Sequence, residues 1–211
     1  MNDNVNVNTR SQILLAGYVS KMSASMQEAY EKKHLKFSDG YYFKRFKLPL
    51  SASGLQNLLL NDDAQKDGFC SISKQKIDQG CAFMADRFTV KIGIVDTSAS
   101  SAPTYAQVSE GEIEYQTVDT VASTVPALAC AELEFTVNGV TQWTSPINAF
   151  NHETLWANSD KDGINVSAPC FVNDEQLMQF RLKLPQGLSI DSKYAVCVEV
   201  VMYGAECRIA R

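Results

Sequence analysis

Histidine is the scarcest catalytic residue in this chain: only His34 and His152 occur among 211 residues. No C-x-x-C pair, P-loop or dinucleotide-binding glycine pattern accompanies them, and Gly numbers only 11. A metal centre needs imidazoles or thiolates clustered at short spacing, and a phosphate cradle needs a glycine-rich turn before a helix. Neither set is present, so the sequence names no reaction. It also has no run of about 18 apolar residues, which excludes a membrane-spanning helix. The N-terminus has no basic segment followed by an apolar core, which argues against a secretory leader.

What the chain does have is enough apolar material for a core: 45% hydrophobic and 20% charged residues, with a net charge of −5. That composition excludes a disordered tail and a uniformly basic nucleic-acid coat. The six cysteines, Cys70, Cys81, Cys130, Cys170, Cys197 and Cys207, are spread singly. In a chain made in a reducing compartment they read as free thiols, and those in apolar runs act as small buried hydrophobes.

The average charge conceals a split. Residues 1–47 carry eight Lys and Arg against four acids, a net of +4, whereas the remainder is −9. Within the basic part, Thr9 and Gln12 have the spacing of a capping box. Leu15, Tyr18 or Val19, Met22, Met26 and Ala29 or Tyr30 then recur every three to four residues. This stripe predicts one amphipathic helix of about 25 residues, roughly 38 Å long, ended by Ser38-Asp39-Gly40.

After Gly40 the apolar period becomes two, the mark of half-buried strands. Phe88, Val90, Ile92 and Ile94 share one face, as do Leu133, Phe135 and Val137, and again Met178, Phe180, Leu182 and Leu184. Asn138-Gly139 is a favoured two-residue hairpin turn. Ile113 and Tyr115 alternate with Glu112, Glu114 and Gln116, which predicts a strand over 111–118. Tyr194–Tyr203 is apolar enough for a central strand buried on both faces. Further short strands are expected at Tyr41–Leu48, Val140–Trp143, Phe69–Ser73 and Ala205–Ile209, and 145–176 reads as a long excursion with a short helix near Pro146–Trp156. The fold class is therefore mainly β: an antiparallel β-sandwich, jelly-roll-like, over 41–211, with an N-terminal basic helical arm over 1–40.

Several short motifs weigh little. Ser71-Ile72-Ser73-Lys74 fits S-x-x-K without its companion motifs, and His152-Glu153 begins a zinc motif that Trp156 breaks. Asn158, Asp160, Asp162 and Gly163 open like a calcium loop, but Pro169 stands where its bidentate glutamate belongs. Asn165-Val166-Ser167 is a glycosylation sequon only in form. No catalytic, cofactor-binding or metal-binding residue is assigned, and no cofactor is expected.

The C-terminal run AELEFTVNGVTQW, then LMQFRLKLP, then YAVCVEVVMYG resembles the upright jelly-roll capsid proteins of icosahedral, membrane-containing bacteriophages of the corticovirus type. The matching positions are Asn138-Gly139, Trp143, Glu199 and Tyr203-Gly204. The resemblance covers about 80 residues and rests on hydrophobic pattern more than identities. It implies a virion component made in the host cytoplasm, homo-oligomeric and often trimeric, contacting neighbouring capsid subunits. Its arm would reach toward an anionic membrane or nucleic acid. One departure matters: such major capsid proteins commonly fuse two jelly rolls, and the roughly 164 residues after Lys47 suffice for one.

On this reading Leu15, Tyr18, Met22, Met26 and Tyr30 are the arm's oligomer contacts, and Lys21, Lys32, Lys33 and Lys36 meet an anionic layer. A carbohydrate- or receptor-binding β-sandwich of a phage tail or adhesion structure is the alternative, with Trp143, Trp156 and Tyr105 as stacking platforms. An enzyme on a cupin-like scaffold is the third reading, and two isolated histidines supply too few ligands for it.

Overall fold

The computed structural model describes residues 9–118, 120, 124–150 and 163–210. Among these residues eight strands form: β1 Leu35–Lys47, β2 Leu55–Asn57, β3 Cys81–Asp96, β4 Glu132–Val137, β5 Val140–Pro146, β6 Ile164–Asn173, β7 Met178–Lys183 and β8 Tyr194–Ile209. They build two four-stranded antiparallel sheets, ordered β1-β8-β3-β6 and β2-β7-β4-β5. The pairings β1·β8, β2·β7, β3·β6 and β4·β5 are nested. Such nesting describes one long hairpin, folded at Asn138-Gly139 and rolled onto itself, which is the jelly-roll path.

Each pairing follows from the alternation. Met178, Phe180 and Leu182 face the core from β7 and lie beside Val137, Phe135 and Leu133 of β4. The turn residues Asn138 and Gly139 both have positive φ, 50° and 78°, as the tight hairpin requires. A ladder of rings then joins the sheets: Trp143 stacks on Phe88 at 4.8 Å, and Phe88, Phe135 and Phe180 follow at 5.3 Å spacings. Burying these rings against each other contributes shape specificity beyond area alone. β8 lies between β1 and β3, with both its core-side Val196, Val198 and Val200 and its outward Ala195 and Cys197 buried.

Six expectations are corrected. The single long helix is instead α1 (Thr9–Ala16), a 3₁₀ turn (Val19–Lys21) and α2 (Ala24–Glu31). Gly17, a weak helix former, follows α1, and the break lets both pieces lie on one sheet face instead of overshooting it. α2 ends in a Schellman motif: His34 N–H donates to Ala29 O, Lys33 N–H donates to Tyr30 O, and Lys33 takes the left-handed φ of 58°. Ser38-Asp39-Gly40 therefore ends nothing, since residues 35–40 already belong to β1. Gly40 instead makes room for a neighbour, because a Cβ there would stand 2.6 Å from Glu206 Oε2.

The excursion over 145–176 hides a full edge strand, β6, whose Pro169 is tolerated because it lies at a register shift on a sheet edge. Residues 111–118 form turns with a single bridge from Gln116 to Ile92 in place of a strand. Phe69–Ser73 likewise makes only isolated bridges, and Ala205–Ile209 is the continuation of β8.

Candidate assembly surface

The outer face of the β1-β8-β3-β6 sheet is where the chain's special features meet. A one-residue bulge at Asp86 shifts the register of β3 between Ala85 and Arg87. Before it Ala82 and Met84 point outward; after it Arg87 and Thr89 do, while Phe88 and Val90 face the core. The outward row Ala82, Ala205 and Cys207 is small, so helices can approach closely. Leu15, Met22 and Met26 pack onto it and are 0%, 4% and 0% exposed. Tyr18 stacks on Phe171 with ring centroids 5.2 Å apart. Ser11 Oγ donates to Asp39 Oδ1 at 2.7 Å, tying α1 to β1.

Four of the five residues expected to contact other subunits are thus taken up within the chain, three buried and Tyr18 stacked; Tyr30 is left exposed. The physical reason is that a stripe of apolar residues finds the nearest apolar face, and the sheet offers one. The side chains of Thr9 and Arg10, and with them the capping box, lie outside the described residues.

The basic side chains are also partly consumed. Lys32 pairs with Glu28 one helical turn away. Lys44 is bound to Asp63, Arg45 Nε donates to Glu199 Oε2 at 2.6 Å, and Lys47 Nζ donates to Val108 O at 2.7 Å. Lys21 lies over the Tyr18 ring at 4.9 Å. Lys33 and Lys36 are exposed, and both line an open groove of about 1680 Å³ that also touches Tyr30, Phe37 and Arg208. Arg208 bonds Glu206 and Asp78 there.

At the opposite end of the same face, Val108, Tyr105, Ile113 and Tyr115 cover Ala195 and Cys197. Tyr105 OH donates to Leu48 O at 2.9 Å, and Lys47 Nζ sits 4.7 Å from its ring centre. Between the two covers the sheet is open. Tyr41, 60% exposed, lies beside Tyr203 at 6.2 Å and Phe43 at 6.3 Å. Arg87 stands 4.3 Å over the Tyr203 ring, and Arg45 lies 4.9 Å over Tyr115. The residues of this open strip come from three strands, which is why no contiguous motif signals it. Its only sequence trace is the pairing of Tyr41 with the Tyr203-Gly204 end of β8.

No reaction centre takes shape among the described residues. Ser71 Oγ is held by the Phe43 backbone, accepting its N–H at 2.7 Å and donating to its carbonyl at 3.3 Å. Lys74 sits exposed in a left-handed turn. No group of three or more His, Cys, Asp or Glu is placed to hold a metal among the described residues. The half calcium loop at 158–162, His152-Glu153 and Trp156 lie outside them. All six cysteines are free thiols. Burial pushes Cys197 and Cys207 up to about 12, and Cys81 and Cys170 up to about 11, far from nucleophilic. No helix among the described residues is long and apolar enough to cross a membrane. In comparisons with known protein families, curated proteins and solved structures, nothing matches the chain.

Proposed function

We propose that this chain is a non-enzymatic structural subunit of a virion shell, a single capsid-type jelly roll that assembles with copies of itself. The observation that carries the reading is the nested pairing of eight strands into β1-β8-β3-β6 and β2-β7-β4-β5 sheets. Jelly rolls of this kind serve mainly in capsids, lectins and cupins, and a fold alone does not choose among them. The residues do more. A cupin holds its metal with several histidines, and this chain has two, of which His34 sits exposed in the turn before β1. A lectin presents aromatic platforms on loops, whereas Trp143 is stacked on Phe88 and Tyr105 is pinned to Leu48.

Assembly is the use that suits the exposed aromatic strip, with Tyr30, Lys33 and Lys36 the arm residues that remain turned outward. Lys33 and Lys36 are the residues through which an anionic membrane or genome would be met. Light scattering after size-exclusion chromatography, with negative-stain microscopy of the purified full-length chain, tests the proposal. Discrete oligomers or shell fragments are expected; a monomer at every concentration and ionic strength would sink it.

A further inference from the structure

Building on that reading, we propose that the open strip on the outer face of the β1-β8-β3-β6 sheet receives the acidic loop end of a second copy of this chain. The contact joins two different patches: the strip of one copy meets the loop end of the next.

The strip has the composition of an interface centre, with Tyr41, Phe43 and Tyr203 side by side and Arg87 over the Tyr203 ring. Lys91 and Arg45 extend it toward the loop end, one on each side of Glu199 in the register. Glu199 is already bonded to Arg45. Asp39, which accepts from Ser11, and Asp86 border the strip on the helical side. Positive charge is therefore concentrated on the side away from the helices.

The matching negative surface is in the same chain. Residues 97–118 contain three Glu, Glu110, Glu112 and Glu114, and no Lys or Arg. Because β1 and β3 finish and β8 begins at one end of the sandwich, the loop over 97–118 is delivered there. Within it Glu112 and Glu114 are exposed, and no ion pair joins either to a cation of its own chain among the described residues. Charge complementarity between two different patches of one molecule favours association in which strip meets loop, reciprocally in a twofold pair or head to side in a ring or filament as the angle dictates.

Charge reversal in two halves tests this. Lys91→Glu makes the strip acidic, and Glu112→Lys with Glu114→Lys makes the loop basic. Sedimentation velocity should show each variant alone needing about tenfold higher concentration to associate, with wild-type behaviour restored in an equimolar mixture. Tyr41→Ser, at an exposed position, should weaken association with the melting temperature unchanged. Association of both reversed variants at the wild-type concentration, or a mixture that gains nothing, overturns the contact while the assembly reading stands. A wild-type chain that never associates overturns both.

Discussion

Leu15→Ala tests whether the N-terminal helices belong to their own sandwich. Leu15 is 0% exposed and packs with Met22 and Met26 over Ala82, Met84, Ala205 and Cys207. Removing three carbons forfeits about 2.4 kcal/mol of transfer free energy at roughly 0.8 kcal/mol per group. The cavity left behind brings the cost to about 3 kcal/mol. An eight-residue helix has no stability of its own in water, so this loss falls on the docking of α1. Cys207 lies beneath that cover, 0% exposed, its thiol pushed by burial up to about 12. Undocking returns it to water and to ordinary reactivity. A loss of about 3 kcal/mol raises the undocked population on the order of 100-fold, at 1.4 kcal/mol per factor of ten. Labelling with a thiol reagent, located by peptide mapping, should therefore modify Cys207 on the order of 100-fold faster in the variant. Ile13→Ala, at a position 69% exposed, should leave the rate unchanged. Equal rates in Leu15→Ala and wild type, or an equal acceleration by Ile13→Ala, would refute the docking argument.

Two other predictions address the sandwich. Glu134, 5% exposed, is bonded to Lys183 and, at 3.3 Å, to Arg181. The Lys183 hydrogen bond, with the two positive charges, holds its carboxyl below the ordinary value of 4.5. A depressed folded pKa stabilises above the unfolded value and ceases to do so as pH falls through the folded one. Urea unfolding should thus show Glu134→Gln about 1–2 kcal/mol less stable at pH 7, with the difference shrinking below pH 4.5. Gly204→Ala should not fold, since its Cβ would stand 1.9 Å from Met84 O in the backbone of the neighbouring strand. Gly139→Ala, with φ of 78° and nothing within 4 Å, should lower stability by only about 1 kcal/mol in a thermal melt; the reverse order would contradict the strand register.

The strands that could be read from sequence are those in which apolar and polar residues alternate. Met178 through Leu184 alternates because one face is partly wet and the other is core; Leu133 through Val137 keeps the same alternation although Glu134 and Thr136 are themselves buried, and Asn138-Gly139 fixes the turn that follows it. β6 escaped because Pro169 and its mixed exposure break the pattern. The Asp86 bulge is invisible to a period-two reading, although it decides which residues of β3 meet the helices. The basic arm misled for a different reason. Its cations are only partly taken up, Lys32 by Glu28 one turn away; the positive charge that follows the arm is met in β1, Lys44 by Asp63 and Arg45 by Glu199, and only the fold brings those together. The open aromatic strip is likewise assembled from β1, β3 and β8, so no local window contains it.

The placement of β8 sets an order of events in folding. β8, which follows the other seven strands in the chain, fills the slot between β1 and β3, pairing Leu35 with Ile209. Until it arrives, two long strands stand with a gap between them, each showing an unpaired backbone edge. Contacts this distant in sequence close slowly, because the chain entropy is lost before the pairing rewards it. A nascent copy waiting in that state presents a vacancy shaped for a β8, and the β8 of a neighbouring copy fits it equally well. High local concentration during synthesis therefore favours strand exchange between chains. Slowing the synthesis of β8 should increase interlocked dimers, and supplying a β8 peptide in trans should suppress them.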